Sequence, residues 1–241
     1  ASGYLLEVTS GERREGILID CGPGVIATLA KNQMLDRVTA LLVSHSHADH
    51  CADLTVLAYR RSFPEVLPPI PLIAPEDLTK RLPSLDEVFG IPSLETMKTP
   101  LSTQFDIQVR NPGESFDVAG LRVETIVADH PVPTMSIKFP ELGFVYTAHT
   151  AYTEELEKFA SDSKFLLAEC TYRAADKVDV SGHGHLDGHT VAELASQAAA
   201  QHLLVTHLAD PEHSDDIYKE VQTIFPGKVT MVAPGMEFEL I

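Results

Sequence analysis

Cysteine is scarce in this chain: Cys21, Cys51 and Cys170 are the three in 241 residues. An odd number with no C-x-x-C spacing excludes a disulfide framework and a zinc ribbon, and leaves buried free thiols as the reading. Basic charge is scarce too. Lys and Arg number 18 against 35 Asp and Glu, a formal net charge of −17, and no window gathers enough cations to offset it. Lys and Arg supply most non-specific affinity for phosphate backbones, so the charge weighs against a large nucleic-acid footprint, whereas it does not exclude a small phosphate ester held by metal. No apolar run reaches the ~20 residues that span a bilayer, and the opening ASGYLLEVTS lacks the basic and apolar regions of a signal peptide. A cytoplasmic protein with no membrane partner is therefore expected. Those first residues read as an incoming strand, an opening that leaves room for a missing initiator segment or first strand. Low-complexity segments and short repeats are lacking as well.

What is present is enough hydrophobic content, 44%, for one large domain or two intimately packed halves. Strands are expected over 3–8 and 16–20 about a turn near Gly11, then a helix over 24–35 opened by the glycines of DCGPG, a strand over 38–44 and a helix over 50–61. Residues 62–103 are rich in proline; PLIAP reads as a short buried strand, with helical pieces near 75–81 and 84–89. A meander follows over 104–110, 115–118, 121–127, 134–139 and 143–147, punctuated by NPG, AG, HPVP and ELG. Helices over 152–160, 189–201 and 214–225 then alternate with strands over 164–169, 203–207, 228–232 and 236–240. Strands running into βα units, twice, predict an α/β protein with two mixed sheets and outer helices.

Eleven histidines are unevenly placed, with His45, His47 and His50 in one cluster and His183, His185 and His189 in another. In His45-Ser46-His47-Ala48-Asp49-His50, four potential ligands fall within six residues between an apolar strand and a helix. Imidazole and carboxylate are ligands for zinc, iron and related dications, and a tight turn can aim several of them at one point.

H-x-H-x-D-H after a strand resembles the metallo-β-lactamase superfamily, and LIDCGPG resembles its strand-Asp-glycine turn, in which the aspartate, here Asp20, supports the site. The likeness runs along nearly the whole chain. It implies a single domain over 1–241, folded as a four-layer αββα sandwich. It implies one metal held by His45, His47 and His130 of VADHPVP, and a second held by Asp49, His50 and His207 of LLVTHLAD. Zinc is the first expectation, one or two ions, with manganese or iron left open. Where the superfamily carries Y-T-G-D-T, with an aspartate bridging the metals, this chain reads Tyr146-Thr147-Ala148-His149-Thr150. A carboxylate joins two dications about 3.5–4 Å apart and offsets their repulsion. Neutral imidazole offers one lone pair, so His149 is expected to end on one metal and to weaken binding of the second. Three protein ligands with an open position for water would still suffice for hydrolysis.

Ala168-Glu169-Cys170-Thr171 resembles the H-E-A-T box of ribonuclease Z and its relatives, and His185-Leu186-Asp187 their H-S-T box. The likeness implies that Glu169 orients His185, which protonates the leaving oxygen of a phosphodiester. Ala168 and Asp187 depart from those boxes, which leaves open that Glu169 is merely buried and that His183, His185 and His189 form a solvated loop. Only 19 residues separate His149 from Glu169, so there is no room for the arm that binds transfer RNA. Structured RNA thus fits poorly, and a small phosphodiester such as a cyclic nucleotide fits better. Asp49, Glu169 and His185 are the expected catalytic residues. A carboxylic ester, lactone or thioester is the alternative substrate class, and a degenerate member that binds metal or nucleotide with little turnover is the third reading, motivated by His149. Relatives suggest a homodimer.

Overall fold

The computed structural model describes residues 1–10, 13–91, 93, 98–180 and 184–240. The turn near Gly11 and His183 lie outside these. The chain divides into two compact units, 1–111 and 112–241.

The first unit holds strands β1 (Tyr4–Ser10), β2 (Arg13–Ile19), β3 (Ala40–Leu42), β4 (Ile70–Ala74) and β5 (Phe105–Val109), side by side in that order. β1 and β2 pair antiparallel, Tyr4 opposite Ile19, and β2 to β5 are parallel. β3 is buried along its whole length, as apolar runs in covered parallel sheets are. Leu18, Leu41 and Leu72 pack with Ile26 and Leu29 of α1 (Val25–Lys31), Cys51 of α2 (Ala48–Cys51), Leu54 and Leu57 of α3 (Asp53–Ser62), Leu78 of α4 (Glu76–Thr79) and Leu82 of α5 (Leu82–Phe89). Each fully buried side chain of this size contributes roughly 1.5–3 kcal/mol.

Several expectations are corrected here. The strand expected over 38–44 pairs as a strand only over Ala40–Leu42, because Ser44 N turns to the side chain of Asp20. The helix expected over 24–35 ends at Lys31, where Gln33 adopts φ 56. The helix expected over 50–61 starts at Ala48 and breaks at Ala52. The strand placed at the head of the meander is β5, which instead pairs parallel with β4 after the long helical crossover that parallel pairing needs.

The second unit holds β6 (Ser115–Val118), β7 (Leu121–Val127), β8 (Met135–Phe139), β9 (Phe144–Tyr146), β10 (Phe165–Glu169), β11 (His202–Thr206) and β12 (Lys228–Met231) in consecutive order across one sheet. β6 to β9 form an antiparallel meander, and β9 to β12 are parallel. Helices α6 (Glu154–Phe159), α7 (Gly188–Gln197) and α8 (Ser214–Gln222) supply the crossovers. Val145, Leu166, Leu203 and Val205 pack against Val191, Leu194, Ile217 and Val221. Helix α7 ends four residues before the expected 201, and Ala199 reverses the chain with φ 51. The strand expected over 236–240 is absent: a turn closed by Met236 N donating to Ala233 O takes the chain away after β12. All three cysteines are buried free thiols. Burial is the main cause that holds the Cys21 and Cys170 thiols well above the usual range and pushes Cys51 to about 12. Among the described residues no helix is long and apolar enough to cross a membrane.

Candidate metal centre

In the first unit, β2 and β3 run parallel with Ile19 opposite Leu42, so the residues that leave both strands at their carboxyl ends fall together. Asp20 leaves β2 with φ 58 and is fully buried. Its Oδ1 accepts from Ser44 N at 2.7 Å, and its Oδ2 accepts from Ser44 Oγ at 3.0 Å and meets His50 Nδ1 at 2.6 Å. Asp20 thus supports the H-x-H-x-D-H loop. Ser44, which sequence reasoning missed, extends that support, since its Oγ lies 2.9 Å from His45 Nδ1. His45 and His50 are buried, and the ring of His45 lies 4.8 Å from that of His47 and 4.2 Å from that of His50. Asp49 is half-exposed and meets His50 Nε2 at 3.1 Å. Burial works against a charge on His50, yet the Asp20 and Asp49 carboxylates outweigh it and raise the imidazole to about 9. A metal at His50 would displace that proton. Ser46 donates to Asp77, which also pairs with Arg81, so the middle of the loop is tied to α4. Gly22 permits the close approach, because a Cβ there would stand 1.9 Å from Asp49 O.

In the second unit the same geometry recurs. β9, β10 and β11 are adjacent and parallel; their exits carry His149, Glu169 and His207. β7 runs in the same direction as β9, two antiparallel steps away, and its exit carries His130. The ring of His149 lies 4.0 Å from that of His207, 4.8 Å from that of His185 and 5.1 Å from that of His130. His149 is 3% exposed; it points into this cluster. The loops are fastened to one another: Thr150 N donates to Glu169 Oε1 at 3.2 Å, and Thr150 Oγ1 accepts from Asp129 N at 3.1 Å. His130 Nδ1 lies 3.0 Å from Gly184 O, and a Cβ on Gly184 would stand 2.6 Å from that same nitrogen.

Glu169, 1% exposed, meets His185 Nδ1 at 2.9 Å, so the carboxylate and histidine expected to pair are in contact. Thr171 joins them, and it too was missed. Its Oγ1 donates to Glu169 Oε2 at 2.6 Å and lies within 3.2 Å of both His185 Nδ1 and His207 Nδ1. The signal was available, because Glu169 and Thr171 are two apart on extended chain and so share a side. Ligand atoms of Glu169, His185 and His207 lie within 4.8 Å of one another. Asp187, where the box departs from a hydroxyl, caps α7 by accepting from His189 N and Thr190 N, and His189 itself is exposed.

The donor set fits a divalent metal. Imidazole and carboxylate predominate, and ring nitrogens of His45, His50, His130 and His207 are each held by a neighbour: Ser44 Oγ, Asp20 Oδ2, Gly184 O and Thr171 Oγ1. Metal-ligating histidines are held in this way, the second ring nitrogen fixed by an outer partner.

Histidine and carboxylate clusters at strand exits, on two mixed sheets, define a metal-dependent hydrolase. The chain belongs to the β-lactamase superfamily: the family model described as "Beta-lactamase superfamily domain" matches residues 15–208. The chain is 26% identical over 240 residues to a probable metallo-hydrolase, YhfI, of Bacillus subtilis, covering 99% of this chain and 92% of that one. A ribonuclease Z of Halalkalibacterium halodurans is 24% identical, covering 90% of this chain and 86% of its relative. Among solved structures, B. subtilis YhfI superposes with a TM-score of 0.80 at 24% identity, covering 99% and 91% of the two chains. A diphosphatase from the PhnP family superposes at 0.72 and 18% identity, covering 98% and 84%. The metallo-β-lactamase fold expected from the sequence is therefore the fold observed.

Proposed function

We propose that this protein is a metal-dependent phosphodiesterase acting on a small phosphodiester, a cyclic nucleotide or similar ester. Its metal ligands are His45, His47, Asp49 and His50 in the first unit and His130, His149 and His207 in the second, with zinc the first choice of metal. The observation that carries the reading is the 2.9 Å contact between Glu169 and His185. A thioester expels a thiolate and needs no such pair, whereas an alkoxide leaving a phosphoryl centre needs a proton. The likeness to ribonuclease Z and to the diphosphatase supports the same choice.

A bound divalent metal supplies a Lewis acid for the phosphoryl oxygen and acidifies a water at neutral pH. The chain's residues do the rest. Glu169 accepts a hydrogen bond from His185 Nδ1–H and keeps the ring turned, so that Nε2 is the atom that takes up a proton from solvent and passes it on to the leaving oxygen. Thr150 N and Thr171 N donate to the same carboxylate at 3.2 and 3.1 Å and hold it in place. Asp49, half-exposed beside His50, is the carboxylate available to orient the attacking water. The net charge of −17 disfavours a long polyanion and favours a compact one. A homodimer is part of this reading.

A second reading, a metal-binding member with little turnover, rests on His149, which lies inside the histidine cluster where relatives of this motif carry a carboxylate. Metal stoichiometry of the parent and of His149→Asp, followed by phosphodiesterase assay of each, separates the two. Under the proposed function the parent turns over, with about one metal bound, and the aspartate variant holds two and turns over faster. A fully metal-loaded parent that hydrolyses no phosphodiester overturns the proposal in favour of the second reading.

A further inference from the structure

Thr171 meets three groups with a single hydroxyl. Its Oγ1 lies 2.6 Å from Glu169 Oε2, 3.2 Å from His185 Nδ1 and 3.1 Å from His207 Nδ1. A threonine hydroxyl has one proton and two lone pairs. The shortest contact is to a carboxylate oxygen, which accepts, so the proton goes there. The lone pairs are then turned to two ring nitrogens, and both of these must carry hydrogen.

The carboxylate leaves no alternative in its surroundings. Its Oε1 faces Thr150 N and His185 Nδ1, at 3.2 and 2.9 Å, and its Oε2 faces the backbone and hydroxyl of Thr171. Two of those four are backbone N–H groups, which only donate. His185 Nδ1–H is therefore shared between Glu169 and Thr171, and His207 Nδ1–H goes to Thr171. In a neutral imidazole, hydrogen on Nδ1 makes Nε2 the basic nitrogen.

We propose that Thr171 is a positioning residue that holds His185 and His207 together in the Nδ1–H tautomer, so that one hydroxyl selects Nε2 as the working nitrogen of both. The roles of the two rings, proton donor and metal ligand, rest on the phosphodiesterase reading; their tautomers do not. Loss of the hydroxyl should act on the two rings unequally. His185 Nδ1 keeps its 2.9 Å contact with Glu169, while His207 Nδ1 gives up its contact with the Thr171 hydroxyl.

Long-range ¹H–¹⁵N correlation spectra of protein labelled with ¹⁵N-histidine report the tautomer of each ring, and zinc competition against a chromophoric chelator reports affinity. The metal-free wild-type protein should show Nδ1–H in His185 and His207. Thr171→Val should leave His185 as it is, release His207 into a mixture of tautomers and weaken zinc binding roughly 10- to 100-fold. Thr171→Ser, which keeps the hydroxyl, should restore both readouts. Hydrogen on Nε2 with none on Nδ1 in either ring of the wild type, or a valine variant with an unchanged His207 tautomer and unchanged zinc affinity, overturns the proposal. Should the valine variant fail to fold, the wild-type spectrum and the serine variant decide it. Neither readout uses substrate, so an absence of phosphodiesterase activity would sink the functional reading and leave this test standing.

Discussion

Replacing Glu169 by glutamine is the sharpest perturbation of the candidate acid. The side chain is buried and its two oxygens take four contacts: Thr150 N, His185 Nδ1, Thr171 N and Thr171 Oγ1. Glutamine has the same shape, but its amide nitrogen donates. Turned one way, that nitrogen faces Thr150 N and His185 Nδ1; turned the other, it faces the two donors of Thr171. His185 can move its proton to Nε2, and the threonine hydroxyl can rotate, but a backbone N–H can do neither. One buried N–H therefore loses its acceptor in either orientation, at a cost of about 1–3 kcal/mol. The melting temperature should fall by about 2–4 °C for each kcal/mol.

Activity should separate by leaving group. Protonation matters most for an alkoxide, so hydrolysis of a cyclic nucleotide should fall by roughly 10²- to 10⁴-fold. A nitrophenyl phosphodiester, whose leaving group departs as a stable anion, should lose much less. Steady-state kinetics on both substrates, with metal content matched, give the two ratios. Equal losses on both esters, or full activity on the cyclic nucleotide in a folded variant, would refute the assignment of Glu169 and His185 as the acid pair.

Gly184→Ala places a Cβ 2.6 Å from His130 Nδ1 at a left-handed position, and should weaken metal binding by roughly 10- to 100-fold, read by zinc competition. Ala199→Gly relieves φ 51 at an exposed helix end and should raise the melting temperature by about 2–4 °C, equivalent to about 1 kcal/mol; Ala148→Gly relieves a similar φ of 53 but gives up a buried methyl worth about 0.8 kcal/mol, and should leave the melting temperature nearly unchanged. His202 packs on Phe165 and Phe238, with its Nε2 2.9 Å from Thr230 Oγ1. Burial, aided by the charge of Lys228, holds it below the usual histidine value. The unfolded chain then binds a proton that the folded chain refuses, so stability is lost as pH falls through about 6.5, and His202→Gln should flatten that slope in urea melts at pH 7.5 and 5.5.

The H-x-H-x-D-H run was legible because its density and its place after an apolar strand are both local. So were His130, His149 and His207, which stand where strands end, and the structure gathers the latter three as ring neighbours. Strand identity was legible as well, since alternation and turn residues are read within a few positions. Partnership was not. β5 carries the same local pattern as the meander that follows it, yet pairs with β4 across some thirty residues of crossover, a choice made by packing rather than by its own sequence. Segment 236–240, MEFEL with its alternation, reads as a strand but meets no neighbour to pair with among the described residues. The supporting hydroxyls escaped notice for a different reason: Ser44 and Thr171 are ordinary residues whose importance comes from the side chains they meet.

The exits of β9, β10 and β11 divide labour within the chain. Positions inside these strands, such as Val145, Leu166 and Val205, face the packed interior, and the chemistry starts only at or beyond the last paired residue. A change at 149, 169 or 207 is therefore expected to alter the polar cluster while leaving the apolar contacts that hold the sheet as they were. Such a scaffold can be re-tasked one strand end at a time. His149 sits at one such position, an imidazole at a strand end where the motif resemblance leads one to expect a carboxylate.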